Sequence, residues 1–165
     1  MQQTTVPTPM PLIFRHAWLL LVLTTCAQGA SWWRTAKRKI AQDPALGPEY
    51  RRLIKSFLIY ENLPWLVMGA GIVSGAVPST LHYLNPRNGP FVVAFFVVLV
   101  ALGIVRFYWL FFRKGAEVLV AHPGLFALTF KRPWALKALY LLCLPFVLLA
   151  LFLMIFANIQ IPWLK

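Results

Sequence analysis

Two ionisable residues, Glu61 and Arg106, lie inside long apolar runs of this 165-residue chain. An ionised side chain in hydrocarbon costs about 3 kcal/mol or more, so such residues usually face a bundle interior, form pairs or line a polar path. Each lies near the same end of its apolar run, roughly 6 Å and 9 Å from it at the rise of a helix. The two residues therefore predict an intramembrane ion pair between neighbouring antiparallel helices. Its role is open: a gate on a proton or substrate path, a structural lock, or an Arg106 that extends to the headgroups.

The rest of the chain offers little material for catalysis. It holds four Asp and Glu residues in total, and it lacks HExxH, GxSxG, CxxC and glycine-rich phosphate-binding motifs. General acid–base and metal chemistry need more such groups within reach of one another. We therefore expect no enzymatic activity and no metal site, and the sequence requires no cofactor.

Two histidines, His16 and His82, are the weaker candidates for a bound group. Both fall on the same predicted side of the membrane, where they are possible ligands of a haem or a chlorophyll-type pigment. The simpler interpretation is that each is a polar residue at the headgroups. Cys26 and Cys143 lie in apolar stretches, where a thiol needs no partner.

The segment VMGAGIVSGAV carries three glycines, Gly69, Gly71 and Gly75, of which the last two form a GxxxG step. Small residues at this spacing let helix backbones approach closely in a membrane. We predict a helix-packing face here, within the chain or against a partner. A cofactor resting on the flattened face is the alternative.

The elements that must position these residues are membrane helices. Hydrophobic residues make up 60% of the chain and charged residues 12%, and the mean hydropathy is +0.71, which does not describe a soluble domain. About 20 apolar residues cross a bilayer as a helix. The prediction is an all-α, multi-pass bundle forming a single membrane domain over residues 1–165. Its four spans are Ala17 to Trp33, Phe57 to Val77, Phe91 to Phe112 and Ala138 to Ile159.

The positive charges give this bundle an orientation. Lys and Arg number 16 against 4 acids, for a net charge of +12, and twelve of the 16 fall in two predicted loops, 34–56 and 113–137. Only Arg15, Arg87 and Lys165 fall on the other side. Since cytoplasmic loops are enriched in Lys and Arg, we predict both loops in the cytoplasm and both termini outside, with residues 1–16 as an outer tail.

Two segments have alternative interpretations. LLLVLTTCAQGA resembles the core of a signal peptide, although its positive charges follow the apolar run instead of preceding it, which favours a retained first helix. GAEVLVAHPGLFALTF is unusually apolar for a cytoplasmic loop. We expect it to lie in the membrane interface as an amphipathic or re-entrant hairpin, or to dock on a partner subunit, with His122 marking a turn.

These features favour a non-catalytic integral membrane subunit: an accessory, scaffold or assembly component of a larger membrane complex. The alternative is a small transporter or channel component that uses Glu61 and Arg106. The expected membrane is a bacterial inner membrane, with an organelle membrane as the alternative, and nucleic acid is not an expected partner. Basic residues near an anionic leaflet contribute about 1 kcal/mol each to lipid binding. The predicted lipid-binding set is Arg34, Lys37, Arg38, Lys39, Arg51, Arg52, Lys55, Arg113, Lys114, Lys131 and Arg132.

Overall fold

A computed structural model describes residues 9–125 and 130–156, and the regular structure in these residues is entirely helical. The α-helices are α1 (Pro9–Gln42), α2 (Gly47–Val73), α3 (Pro90–Phe112), α4 (Gly115–Ala121) and α5 (Pro133–Phe156). Short 3₁₀ helices in the connections span Pro44–Leu46, Thr80–Leu84 and Pro86–Asn88. The all-α prediction is confirmed.

Three helical segments in the described residues are long and apolar enough to cross a membrane: Pro44–Val73, Pro90–Phe112 and Pro133–Phe156. By length and composition these segments indicate an integral membrane protein. α1 is not one of the three, because its apolar run is short, contains Thr24, Thr25 and Gln28, and is bounded by Arg15 and Arg34. The first predicted span, Ala17 to Trp33, therefore stays a prediction, and so does the count of four spans.

The first two helices differ most from the predicted spans, and α2 also ends at Val73, before the predicted Val77. α1 has 34 residues, about 51 Å of helix, so it includes part of the predicted outer tail and part of the predicted loop 34–56. α2 begins at Gly47, before the predicted Phe57. The second predicted loop, 113–137, contains α4 and the start of α5. The difference has a physical cause: Ala, Lys and Arg favour helix, whereas hydropathy marks only the apolar part of one.

Some predictions fall outside the described residues. These are the first eight residues of the predicted tail, residues 126–129 of the apolar segment, the last three residues of the predicted fourth span, and Lys165.

Prolines and one aspartate set where the helices begin. Asp43 accepts a hydrogen bond from the Ala45 backbone N–H at 3.0 Å, and Pro44 follows it, so the chain turns between α1 and α2 within a few residues. Pro90 and Pro133 are the first residues of α3 and α5. Proline has no backbone N–H and a fixed φ, which suits the first turn of a helix.

The long helices alternate in direction. Gly29 contacts Leu58 and Gly69 contacts Trp18, so α1 and α2 are antiparallel, and their close approach depends on both glycines. α3 packs antiparallel on the other side of α2. Leu136 near the start of α5 packs with Leu110 near the end of α3, and Leu151 packs against the cluster that holds Phe95 of α3, so α5 runs opposite to α3. Between these contacts, the Tyr140 hydroxyl donates to the Gly103 carbonyl at 3.5 Å.

The chain has two differently packed ends. The glycine end comprises the C-terminal half of α2, residues 74–89 and the N-terminal half of α3, with the α1 and α5 residues packed on them. Its core is Met68, Ile72, Val77, Tyr83, Val92, Phe95 and Phe96. The basic end comprises the C-terminal half of α1, the N-terminal half of α2, the C-terminal half of α3, α4, His122–Leu125 and the start of α5. It has two smaller clusters, around Tyr50 and around Leu110.

α5 is the least covered helix. Leu136 is its only buried residue, and its apolar side chains are largely exposed, with Phe146 at 70% and Leu142 at 66%. Leu151 and Met154 pack against the core of the glycine end. α5 therefore contacts the rest of the chain along a narrow strip.

Candidate functional site

The structure brings together the two residues that the sequence pairs, Glu61 on α2 and Arg106 on α3. Arg106 Nη2 lies 2.6 Å from Glu61 Oε1. The pair is not sealed inside the protein, since the side chains of Arg106 and Glu61 remain 42% and 34% exposed. The antiparallel packing of α2 and α3 places the two groups at the same level, as their sequence depths predict.

The ion pair lines a groove of about 610 Å³ at the basic end. Residues from all five α-helices contribute to its walls, together with Leu125 after α4. Pockets of this size are typical of small-molecule sites, which combine apolar walls with a few polar groups.

The lining of the groove is part polar and part apolar. Its polar residues include the Glu61–Arg106 pair with Gln28, Ser56 and Tyr60. Its apolar residues are mainly leucines from α2, α3, α4 and α5, and the indole of Trp109 and the ring of Tyr140 also contribute. Such a surface suits a molecule with one polar part and one apolar part.

A second charged pair lies at another position along the groove. Arg52 Nη1 is 3.7 Å from Glu49 Oε2, one turn apart on α2, and both side chains line the groove. Glu49 and Glu61 are separated by about 18 Å of helix. The lining therefore contains two acids and two arginines, and its formal charge is balanced although the whole chain carries +12.

α4 and the turn after it cover one end of the groove. The Tyr50 hydroxyl donates to the Pro123 carbonyl at 2.9 Å, and the His122 ring meets the Tyr50 ring edge-on at 4.9 Å. His122 Nδ1 is 2.7 Å from the Val118 carbonyl. We call residues 115–125 the cap, and Leu119 and Leu125 are its groove-lining residues.

The cap is the described part of the predicted interfacial or partner-docking segment, whose contact with membrane or partner stays a prediction. Among residues 115–125, Ala116, His122 and Leu125 are buried against the chain itself. Gly124 has a φ of +95°, and a β-carbon there would lie 2.5 Å from Thr35 Cγ2 on α1. Part of the apolar surface of the cap is thus covered by the chain itself, with Leu125 packed on α1 and α2 and Ala116 on α3 and α5. Sequence reasoning missed Tyr50, whose only signal is one aromatic residue in the basic stretch EYRRLIK.

A third charged pair ties the cap to α5. Lys137 Nζ lies 3.0 Å from Glu117 Oε1. A hydrogen bond from the Glu117 backbone N–H, followed by that from Lys137, holds the pKa of this carboxyl below its usual range. Glu117 therefore stays ionised well into the acidic range.

The three predicted packing glycines separate into two roles. A β-carbon at Gly69 would lie 2.6 Å from the Trp18 ring, and one at Gly71 would collide with the Tyr83 hydroxyl and lie 3.1 Å from Phe91. Gly75 differs from the prediction: it lies past the end of α2 with a φ of +76°, and no described atom lies within 4 Å of its β-carbon position. Its role is the turn, because L side chains rarely adopt that φ.

The predicted pigment ligands occupy neighbouring segments. His16 is exposed on α1, and His82 Nδ1 lies 3.0 Å from the Ser79 hydroxyl. The Thr80 hydroxyl donates to the Phe14 carbonyl at 2.6 Å, which brings α1 close to the segment that carries His82. In residues 9–125 and 130–156, His, Cys, Asp and Glu form no group of three or more able to hold a metal ion.

The predicted lipid-binding residues lie on the surface of the basic end. All of them are exposed apart from Lys39, which is half-buried. Lys37 lies over the Trp33 ring and Arg113 over the Tyr108 ring, each at 5.9 Å from the ring centroid. Cys26 and Cys143 are free and exposed.

Two buried polar atoms have no hydrogen-bond partner in the part of the chain that the structure describes: Trp18 Nε1 and Asn62 Oδ1. Both lie at the contact of α1 with α2. The amide nitrogen of Asn62 donates to the Leu58 carbonyl at 2.8 Å.

Comparisons with protein-family models, with curated proteins and with solved structures find nothing that matches this chain.

Proposed function

We propose that this chain crosses the membrane four times, with both termini outside and the basic end in the cytoplasm. The alternating directions of α1, α2, α3 and α5 support this topology, because they collect the basic segments at one end of the molecule. The proposed membrane is a bacterial inner membrane, and an organelle membrane would use the same charge rule. To test the orientation, Lys37 is replaced by cysteine in a Cys26→Ser/Cys143→Ser chain. A thiol reagent should label this cysteine only when it is applied from the inner side of the membrane.

Within that membrane, we propose that the protein is a non-catalytic subunit of a larger complex. The observation that carries the proposal is the uncovered α5, whose apolar side chains contact so little of the chain. Helix association in a bilayer depends on packing and not on hydrophobicity, so a helix held along one narrow strip has most of its surface free for a partner. The same uncovered surface is also compatible with lipid.

Extraction in mild detergent followed by native mass measurement tests this proposal. We expect a defined assembly larger than one 18.8 kDa chain, containing other membrane proteins. Replacing Leu142 and Phe146 on α5 with Ala should release the chain from that assembly. The matched control replaces Val97 and Ile104, which are similarly exposed on α3. A monomer, or a homo-oligomer that both variants leave intact, contradicts the proposal.

The basic surface is the proposed contact with anionic lipid. Its side chains are exposed and clustered at the basic end, where each contributes about 1 kcal/mol near an anionic leaflet. Replacing Lys37, Arg38 and Lys39 with Gln should reduce co-purifying phosphatidylglycerol. Unchanged lipid content contradicts this part of the proposal.

A second candidate function is that of a transporter or channel component. The observation in its favour is the groove with the Glu61–Arg106 pair on its wall, because intramembrane charges commonly line ion and substrate paths. Glu61→Gln should then abolish flux in reconstituted vesicles, whereas Glu117→Gln, which is outside the groove lining, should not. Flux that survives Glu61→Gln excludes this function.

A further inference from the structure

Arg106 has donors to spare on the wall of the groove. A guanidinium carries five N–H donors, of which a carboxylate accepts two in a bidentate pair, and Arg106 Nη2 faces Glu61 Oε1. The side chain is 42% exposed and lines the groove. At membrane depth, N–H groups without an acceptor cost free energy, so a molecule in the groove gains by offering acceptor atoms.

The charges of the lining favour a neutral occupant. Glu49 and Glu61 balance Arg52 and Arg106, and each arginine already faces a carboxylate. An anionic headgroup would compete with Glu61 for Arg106 and leave the carboxylate without its partner, which is costly away from water. A cationic headgroup would compete with Arg106 for Glu61 and leave the guanidinium without its partner. A neutral acceptor uses the remaining N–H groups and leaves the ion pair intact.

The composition of the lining favours a flat ring with an apolar tail. Its aromatic side chains include Trp32 and Phe57, whose ring centroids are 4.1 Å apart, together with Trp109 and Tyr140. Aromatic side chains stack on planar ligands, and Tyr also supplies a hydroxyl. Leucines at the cap and on α3 and α5 give a surface for a hydrocarbon tail.

We propose that this groove binds a neutral lipid whose planar ring carries carbonyl acceptors, which is the chemistry of a lipid-soluble quinone. Its carbonyl oxygens accept hydrogen bonds from Arg106 and its ring packs against the aromatic side chains. Its tail contacts the leucines of the groove lining. The proposal concerns binding alone, and it depends on neither of the functions proposed above.

Quenching of tryptophan fluorescence tests the proposal, because Trp32 and Trp109 line the groove. The full chain in phosphatidylcholine nanodiscs is titrated with a benzoquinone that carries a decyl tail. Decanoate and decanol, which share the tail but differ in the polar group, serve as competitors. We expect saturable quenching by the quinone that neither competitor reverses.

Variants of the ion pair locate the site. Arg106→Met should raise the dissociation constant about 10-fold or more, the loss expected for hydrogen bonds to a charged donor. Arg113→Met, at the exposed position directly after α3, is the matched control. Quenching by quinone that merely dissolves in the lipid would be the same in both variants. If Arg106→Met fails to fold, Glu61→Gln combined with Arg106→Met removes the donors without leaving an unpaired charge.

Glu61→Gln separates a neutral ligand from an anionic one. It should leave quinone binding within about 3-fold of that of the original chain, because the Arg106 donors remain. Displacement of the quinone by decanoate, strengthened in Glu61→Gln, would assign the groove to an anionic lipid and overturn the proposal. Displacement by decanol, or quenching that never saturates, would also overturn it.

Discussion

The glycine end and the basic end are built from the same helices but close in different ways. At the glycine end, small residues let large rings fill the space between helices: Trp18 lies against Gly69, and Phe91 and Tyr83 lie against Gly71. At the basic end, Gly29 brings α1 close to Leu58 of α2, yet charged, aromatic and apolar side chains line a groove of about 610 Å³. The glycine end is thus closed by large rings packed on small residues, whereas the basic end keeps an open groove.

The two ends also depend on different forces. The core of the glycine end is apolar, with the ring of Phe95 meeting those of Tyr83 and Phe96 nearly edge-on. The basic end is held by specific polar contacts: Glu61 with Arg106, Tyr50 with Pro123, and Glu117 with Lys137. Substitutions at the glycine end should therefore cost global stability, whereas those at the basic end should mainly change local structure.

The largest expected effect comes from filling the closest helix contact. Gly69→Val would place a branched side chain against the Trp18 ring and should lower the free energy of unfolding by about 3 kcal/mol. Gly103→Val on α3 is the matched control, because no described atom lies within 4 Å of its β-carbon position. Unfolding in detergent measures the difference. Equal losses in the two variants would show that the glycine end is not closely packed at Gly69.

The next effect comes from breaking the Glu61–Arg106 pair. Arg106→Met leaves the Glu61 carboxylate unpaired and should cost about 1–2 kcal/mol, less than for a fully buried pair because both side chains are partly exposed. Glu61→Gln combined with Arg106→Met removes both charges and should recover most of that loss. A double variant no more stable than Arg106→Met alone would mean that the two residues are not coupled.

A smaller effect should follow from loosening the cap. Tyr50→Phe removes the hydroxyl that bonds to Pro123 and should cost about 1 kcal/mol, while the ring contact with His122 remains. Hydrogen exchange of residues 115–125 should accelerate, whereas exchange at the glycine end should not change. Tyr108→Phe, at an exposed position on α3, provides the control. Uniform acceleration along the chain would contradict the separation of the two ends.

The smallest effect concerns pH. The pKa of Glu117 is lowered in the folded chain by its backbone hydrogen bond and by Lys137, so its contribution to stability is present above about pH 4.5 and is lost as the pH falls through the folded pKa. Glu117→Gln should remove that contribution, so cap stability should fall slightly near neutral pH, stay unchanged in acid, and no longer decline as the pH falls through the folded pKa. Glu49→Gln, which removes the acid that lies 3.7 Å from Arg52, is the control and should keep the acid-dependent part of cap stability. An identical acid profile in Glu117→Gln would assign the dependence elsewhere.

The sequence predicts the parts of the structure that depend on local composition. The bounds of α3 match the predicted span closely, since its apolar run is continuous and begins at a proline. The proximity of Glu61 and Arg106 follows from their depths in consecutive antiparallel helices. The basic segments were harder to predict, because a helix that continues past an apolar run gives no hydropathy signal.

The cap could not be predicted, because its contacts join distant parts of the chain. Tyr50 and Pro123 are 73 positions apart, and nothing in either local sequence identifies the other as its partner. The apolar composition of the segment correctly indicates that it needs a surface to cover it. Residues 115–125 find part of that surface on the chain's own helices, and a contact of the segment with membrane or partner stays a prediction.

Cysteine accessibility is the most direct measurement of the difference between the two ends. In a Cys26→Ser/Cys143→Ser chain, Ser56→Cys places a thiol on the groove wall, and Ser79→Cys places one at the glycine end, where the native side chain is 8% exposed. With a small maleimide and detergent-solubilised protein, we expect the thiol at position 56 to react at least about ten times faster than that at position 79. Equal rates, or faster reaction at position 79, would contradict an open groove beside a closed core.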